Sequence, residues 1–217
     1  MATLDLYIIG TGKTAELIYQ YTRNSYVIHF ADEEKVGQRF FNRTIIHPND
    51  IPKLSTIFIA IGVNKLNTIR QRVYEEFKQK GYYKFLTYVH PNATVMNTAK
   101  IGEHCFIMEE NVIQDYVSIG NNNILWSGNH IGHHTHIGDH NFISSHVVIS
   151  GSCTIGNNNF FGVNSCLGDE VSVGDFNWFS PLTHSVQNIG DEQLLVLPKE
   201  ARPVIAKSST KRYFKVQ

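Results

Sequence analysis

Six of the eleven histidines fall between His130 and His146, and the segment 129–140 reads NHIGHHTHIGDH. Imidazole is the side chain that takes up and gives back a proton near neutral pH. A histidine oriented by a carboxylate has its proton placement fixed and can serve as a general base. His133 and His134 stand out by what lies 18 residues away on either side. Asp115 and Tyr116 precede them at that distance, and Gly151 and Ser152 follow. If positions 18 apart stack, His133 has a carboxylate below it and, above it, a residue with no side chain, which leaves room for a substrate. The expected catalytic group is therefore His133 with Asp115 and the adjacent His134. A second acidic pair, Asp169–Glu170, lies two coils above His133. His130, His136, His140 and His146 read as turn or interface residues.

The elements that position these residues come from a repeat. From Val89 to Phe179 every sixth residue is large and apolar, sixteen in succession, and half of them are followed by glycine. The fifth position of each hexad is usually small or turn-forming, as at Ala99, Cys105, Asn123, Thr135, Cys153 and Ser165. Neither an amphipathic helix nor an ordinary strand has period six. A parallel β-helix does, with each hexad one short strand plus a corner and three hexads to a coil. Residues 18 apart then stack at about 4.8 Å, the spacing of paired strands. Residues 89–184 form this domain.

The residues beside each large apolar one point outward. One outer face carries Lys100, Ser118, His136, Thr154 and Ser172 and reads as solvated. A second carries Phe106, Met108, Ile124, Trp126, Phe142, Phe160 and Trp178. A strip of that size is unusual on a soluble monomer, so it is expected to be covered by another subunit. A prism with one apolar face suits a cyclic trimer.

Ahead of the repeat, residues 1–88 read as a small Rossmann-like α/β domain. LDLYII (4–9) is a buried strand, Gly10-Thr11-Gly12 a tight turn, and Thr14 to about Tyr21 a helix. A strand at Tyr26–Phe30 ends at Ala31-Asp32, placing an acidic residue roughly 20 positions after the glycine turn, as in nucleotide-binding βαβ units. A strand at Thr56–Ile61 ends at Gly62-Val63-Asn64, a helix follows with Leu66, Ile69, Val73 and Phe77 on one face, and Tyr83–Tyr88 forms a last strand. Ligands on such sheets bind at the carboxyl ends of strands, which singles out Gly10, Thr11, Gly12, Asp32, Gly62 and Asn64. The run GTGKT imitates a P-loop, but Tyr7 stands where the first glycine is needed, so nucleotide hydrolysis is rejected. Residues 185–217 break the period and end in a basic stretch; they are expected to cap the last coil.

Composition excludes several classes. Lys+Arg and Asp+Glu both number 19, so no net charge draws the chain to nucleic acid or anionic lipid. No apolar run is long enough for membrane insertion, and the start lacks the basic region of a signal peptide. Three cysteines without metal spacing read as reduced residues in a cytoplasmic protein.

The hexads, the Ala60-Ile61-Gly62-x-Asn64 stretch, His90 and the H-x-x-x-I-G pattern at His133–Gly138 resemble the left-handed β-helix sugar acyltransferases. Within them they are similar to sialic acid O-acetyltransferases and N-acetyltransferases of nucleotide-linked 4-amino-sugars. The resemblance covers roughly residues 3–184. It implies a left-handed coil and a homotrimer with active sites between subunits. It also implies acetyl-CoA, or another acyl-CoA, lying along the coils near Gly151, Ser152 and Phe142, and a nucleotide-sugar held by the N-terminal domain. His133 would deprotonate the attacking amine, a backbone N–H near Gly151 would hold the thioester oxygen, and no metal takes part. The product would serve surface polysaccharide synthesis. Alternatives are O-acetylation of a sugar hydroxyl and a non-catalytic trimeric scaffold. The chain departs from the family pattern at Lys13, Thr14 and Ala15 in the glycine loop. It departs again at His134, where an acidic residue is usual, and in the tail, where Lys207, Lys211 and Arg212 replace a G-x-P-A-K segment.

Overall fold

In the computed structural model, residues 4–63 and 65–198 are described. The N-terminal domain contains β1 (Leu4–Ile9), α1 (Lys13–Thr22), β2 (Tyr26–Ala31), β3 (Arg39–Phe40), β4 (Arg43–Ile46), β5 (Thr56–Ile59), α2 (Thr68–Gln79) and β6 (Lys84–Phe85). The strand order is β3-β4-β2-β1-β5-β6, with every neighbouring pair parallel except β3/β4. The chain moves outward from β1 on one side to β2 and β4, then crosses to β5 on the other. The crevice at this reversal lies beyond the carboxyl ends of β1 and β5.

Both faces of the sheet are covered. Leu6, Ile8, Ile28, Phe30 and Phe58 pack against Ala15 and Ile18 of α1. Ile57, Ile59 and Ala31 pack against Tyr74 and Phe77 of α2. Buried aliphatic strands with helices on both sides are what a parallel sheet requires. The sequence pattern places α2 correctly but misses part of its buried face: Arg70 and Tyr74 are buried with Phe77. The strand expected up to Tyr88 ends at Phe85, and Tyr88–Val89 is instead the first rung of the coil, paired with Phe106–Ile107.

The coil is the left-handed parallel β-helix implied by the sequence, with three sheets of seven, six and five two-residue rungs. Each rung pairs in parallel with the one 18 residues on, as Phe106–Ile107 with Ile124–Leu125 and His130–Ile131 with Val148–Ile149. The large apolar residue of each hexad points inward, and Ile107, Leu125, Ile131, Ile143, Ile149 and Phe161 are fully buried in one continuous core. Cys105, Thr135 and Cys153 fill the small inward positions. The corners share one backbone state. From His104 to Leu182 every sixth residue has positive φ, between +55° and +76°, and all but Gly128 are non-glycine. This left-handed region costs an ordinary residue about 1–2 kcal/mol. The stacked rungs impose it coil after coil.

After the hexad run ends, Ile189 bridges to Val173 and Leu194–Leu195 adds one more rung beside Trp178–Phe179. Residues 199–217, with Lys207, Lys211 and Arg212, lie outside the described residues.

The apolar outer strip is not left for a second subunit. Phe106, Met108, Ile124 and Phe142 belong to the same buried cluster as β1, β2 and α1. The chain's own N-terminal domain covers them, because α1 offers a matching apolar face through Leu17, Ile18 and Tyr21. Trp126 and Trp178, 39% and 37% exposed, are the parts of the strip that stay partly open.

Candidate functional site

The corner formed by residues 132–135 joins the face of His130–Ile131 to the face of His136–Ile137. Gly132 is a glycine because a Cβ there would lie 2.5 Å from the Ser150 carbonyl carbon. The next two positions point outward, and both His133 and His134 are exposed. The backbone is locked from both sides: His134 N–H donates to the Asp115 carbonyl at 3.0 Å, and Ser152 N–H donates to the His133 carbonyl at 2.8 Å. His133 N–H donates to Gln114 Oε1 at 2.9 Å.

The His133 imidazole lies over Gly151. A Cβ built on Gly151 would sit 2.7 Å from Cε1 and 2.9 Å from Nε2. Gly151 has no left-handed φ, so its lack of a side chain serves this close approach and nothing else. His133 Nδ1 lies 3.2 Å from His134 Nδ1, and the His134 ring stacks on Tyr116 with centroids 4.7 Å apart.

Two expectations about this corner are corrected. Asp115 stacks one coil below but does not hold His133; its carboxylate accepts from Thr98 Oγ1 at 2.8 Å. The Thr98 hydroxyl in turn receives Tyr116 N–H at 2.9 Å, so Asp115 is drawn down the coil. The Gly151 N–H is not free for a developing oxyanion either, because it donates to Asp169 Oδ1 at 2.9 Å. Ser152 N–H is taken as well. Phe142 is corrected in place: it sits on the face beneath the N-terminal domain, away from Gly151 and Ser152.

The N-terminal candidates gather at the sheet reversal. Gly10 has φ +107°, and a Cβ there would lie 3.2 Å from the Ala60 carbonyl oxygen. A Cβ on Gly62 would lie 2.9 Å from Thr14 Oγ1. The two loops therefore touch through their glycines, while Gly12 faces open space. Thr11 donates to Asp32 Oδ2 at 2.5 Å and accepts from Lys35 Nζ at 2.8 Å. The other Asp32 oxygen receives Glu34 N–H. Asn64 lies outside the described residues. Two hollows flank this point. One of about 360 Å³ is lined by Gly10, Asp32, Glu33, His47, Asn49 and Lys80. The other, about 430 Å³, lies between α1 and the coil and is lined by Lys13, Thr14, Gly62, Phe106, Trp126 and Phe142 among others.

A third group escaped the sequence reading. At the corner between the face of His136–Ile137 and the face under the N-terminal domain, His104, Asn122 and His140 stack 18 residues apart and are buried. Ile59 N–H donates to His104 Nε2 at 2.8 Å, which puts the His104 proton on Nδ1, from where it donates to Asn122 Oδ1 at 2.8 Å. Asn122 Nδ2 donates to His140 Nδ1 at 2.8 Å. Arg70, fully buried, donates to Asn122 Oδ1 and to its carbonyl. Burial pushes the His104 imidazole down to about 3 and lowers that of His140. Four polar residues at one column of corners (His104, Asn122, His140 and Asn158) were the available signal, and they weld the domains rather than meet a ligand.

The two candidate regions lie on opposite sides of the prism. The N-terminal domain covers one face, and the His133 corner is the one edge that does not border that face. Within one chain the glycine loops and His133 therefore cannot share a site.

Residues 116–151 match the family described as bacterial transferase hexapeptide (six repeats). No curated protein matches the chain at a significant level. Among solved structures, a complex of a histidine variant of perosamine N-acetyltransferase from Caulobacter crescentus with CoA and GDP-perosamine is similar with TM-score 0.79. It is 20% identical, over 88% of this chain and 92% of that one. The acetyltransferase domain of PglB from Neisseria gonorrhoeae, in complex with acetyl coenzyme A, is similar with TM-score 0.80 at 22% identity over 89% and 96%. WeeI from Acinetobacter baumannii is similar with TM-score 0.56 at 14% identity over 85% and 95%. The chain has the fold of these proteins: an α/β domain followed by a hexapeptide-repeat left-handed β-helix.

Proposed function

We propose that the protein transfers an acyl group from acyl-CoA to the amino group of a nucleotide-linked amino-deoxy sugar, with His133 as general base. The observation that carries this reading is the His133 imidazole lying exposed over the bare backbone of Gly151. Its Nδ1 is engaged by His134, which leaves Nε2 as the free basic nitrogen. His133 Nε2 takes the proton from the acceptor nitrogen as that nitrogen bonds to the acyl carbon, and returns it to the sulfur that departs. The CoA and acetyl-CoA complexes of the two structural relatives, and GDP-perosamine in one of them, support this choice of substrates. Gly151 and Ser152, beside the imidazole, are the positions that would meet the donor. Their N–H groups are already paired, so stabilisation of the developing oxyanion falls to donors elsewhere. The hollow at Lys13, Thr14 and Gly62 suits the sugar, and the crevice at Gly10 and Asp32 the nucleotide.

The placement of these groups on opposite sides of the prism supports a homotrimer, in which His133 of one copy faces the glycine loops of the next. Residues 1–88 would then present the acceptor and residues 89–184 the base. A soluble cytoplasmic enzyme of polysaccharide synthesis fits this chemistry, and no helix among the described residues is long and apolar enough to cross a membrane.

Thiol release from acetyl-CoA, measured against a panel of nucleotide amino-sugars and their hydroxyl analogues, tests the reading. Turnover is expected with an amine acceptor; turnover confined to hydroxyls would select O-acylation, and none with any acceptor would remove the enzymatic reading. Sedimentation should give three times the chain mass, and a monomer would refute the shared site. Mixing His133→Ala with Gly62→Val protein, each weak alone, should restore activity in mixed trimers.

A further inference from the structure

The 3.2 Å separation of His133 Nδ1 and His134 Nδ1 admits one proton between them, so one nitrogen donates and the other accepts. The two rings meet edge-on, at 82°. The His134 ring is held independently: its face stacks on Tyr116, and its backbone is fixed in the corner at φ +59°. Nε2 of His133 is the atom directed over Gly151. A basic lone pair on Nε2 requires the ring proton on Nδ1, and no other hydrogen-bond acceptor for that Nδ1–H is found among the described residues.

We propose that His134 is the positioning residue of the base. In its Nε2–H form it accepts the His133 Nδ1–H, which fixes the tautomer and angle of the His133 ring. This inference rests on His133 being the base. It assigns to a neutral imidazole a task usually given to a carboxylate, and the difference has chemical content. A carboxylate adds negative charge and accepts at every pH above its own low range. An imidazole adds no charge and ceases to accept once protonated. The nearby ionisable groups do not substitute for it. Asp115, one coil below, is held by Thr98; Tyr116 contributes its ring face; Asp169, at the same corner above, is held by the Gly151 N–H. Glu170 follows Asp169 at that corner.

The test combines kinetics with long-range proton–nitrogen NMR of the histidine rings, which reports the His133 tautomer without turnover. In the unaltered protein His133 should carry its proton on Nδ1. His134→Phe keeps the stack on Tyr116 but removes the acceptor, and Phe176 shows that phenylalanine occupies the corresponding hexad position, at another corner, at φ +58°. That variant should lose the Nδ1 tautomer and drop kcat by roughly tenfold with KM unchanged, less than the two to four powers of ten for loss of the base itself. His134→Asp should restore the Nδ1 tautomer and kcat. An unchanged His133 tautomer and kcat in His134→Phe would overturn the proposal. Full activity of His133→Ala would instead overturn the base assignment, and the NMR result would still decide what His134 does to its neighbour's ring.

Discussion

Two corners of the same prism are built from the same backbone and do opposite things. At the corner of His104, Asn122 and His140, every column position carries a polar side chain that is buried and bonded, either up the coil or across to Arg70 and Ile59. At the corner of Asp115, His133, Gly151 and Asp169, the column carries three exposed side chains and one bare glycine. Both corners turn through a left-handed residue at φ near +60°, His104, Asn122 and His140 in the first and Tyr116, His134 and Ser152 in the second, so the turn itself does not distinguish them. What differs is whether another element packs on the corner. Buried imidazoles next to Arg70 are kept neutral and inert by desolvation. An exposed imidazole over a glycine stays free to exchange protons.

The comparison is easiest to break by exchanging what each corner is for. His133→Ala should lower turnover by two to four powers of ten, as for loss of a general base, while leaving the melting temperature in place; a large stability loss would mean the corner is structural. Asn122→Ala should do the reverse. It strands Arg70, the His104 Nδ1–H and the His140 Nδ1 in a buried site, at about 1–3 kcal/mol for each unsatisfied group. Urea denaturation reads this directly, with turnover of the folded fraction preserved.

Acid should separate the corners further. The unfolded chain protonates His104 near pH 6.5, whereas the folded chain holds it neutral down to about 3. Below about 6.5 the unfolded state therefore binds more protons, and stability falls as pH drops toward 3, by roughly 1 kcal/mol per pH unit. His140, also lowered by burial, adds to this in the same direction. Replacing His104 with glutamine should flatten that pH dependence. The smallest expected effect is at Gly151→Ala. The new Cβ meets an exposed imidazole that can swing aside, so turnover should fall by about tenfold with a stability change within ~0.5 kcal/mol.

The coil was legible because a residue such as Ile131 recurs in role at Leu125 and Ile137, and one inward position per rung suffices to write the period. The glycine loops and α1 followed from local turn chemistry. The cover on the outer strip was not legible: Phe106 and Phe142 read equally well against a partner subunit or against α1, and only the tertiary arrangement decides between them. The polar details of the His133 corner were hidden for another reason. Stacking put Asp115 and Asp169 in the right columns, but a short carboxylate can bond to any of several nearby donors, and Thr98 and Gly151 N–H claim them. Arg70 was invisible as a buried residue because arginine on an amphipathic helix reads as solvated.

The column of His104, Asn122, His140 and Asn158 is contacted by the N-terminal domain at each successive turn, ending with Asn158 Nδ2 on the Leu66 carbonyl and Gln71 Oε1. A coil of stacked repeats normally frays rung by rung. Here four consecutive turns cannot open without detaching a whole domain, so their amides should exchange with solvent together and slowly. The rungs beyond residue 172 lack that brace and should exchange sooner, one after another. The His133 rung falls inside the braced segment, so the corner proposed to transfer the proton rides on the slowest-exchanging part of the molecule.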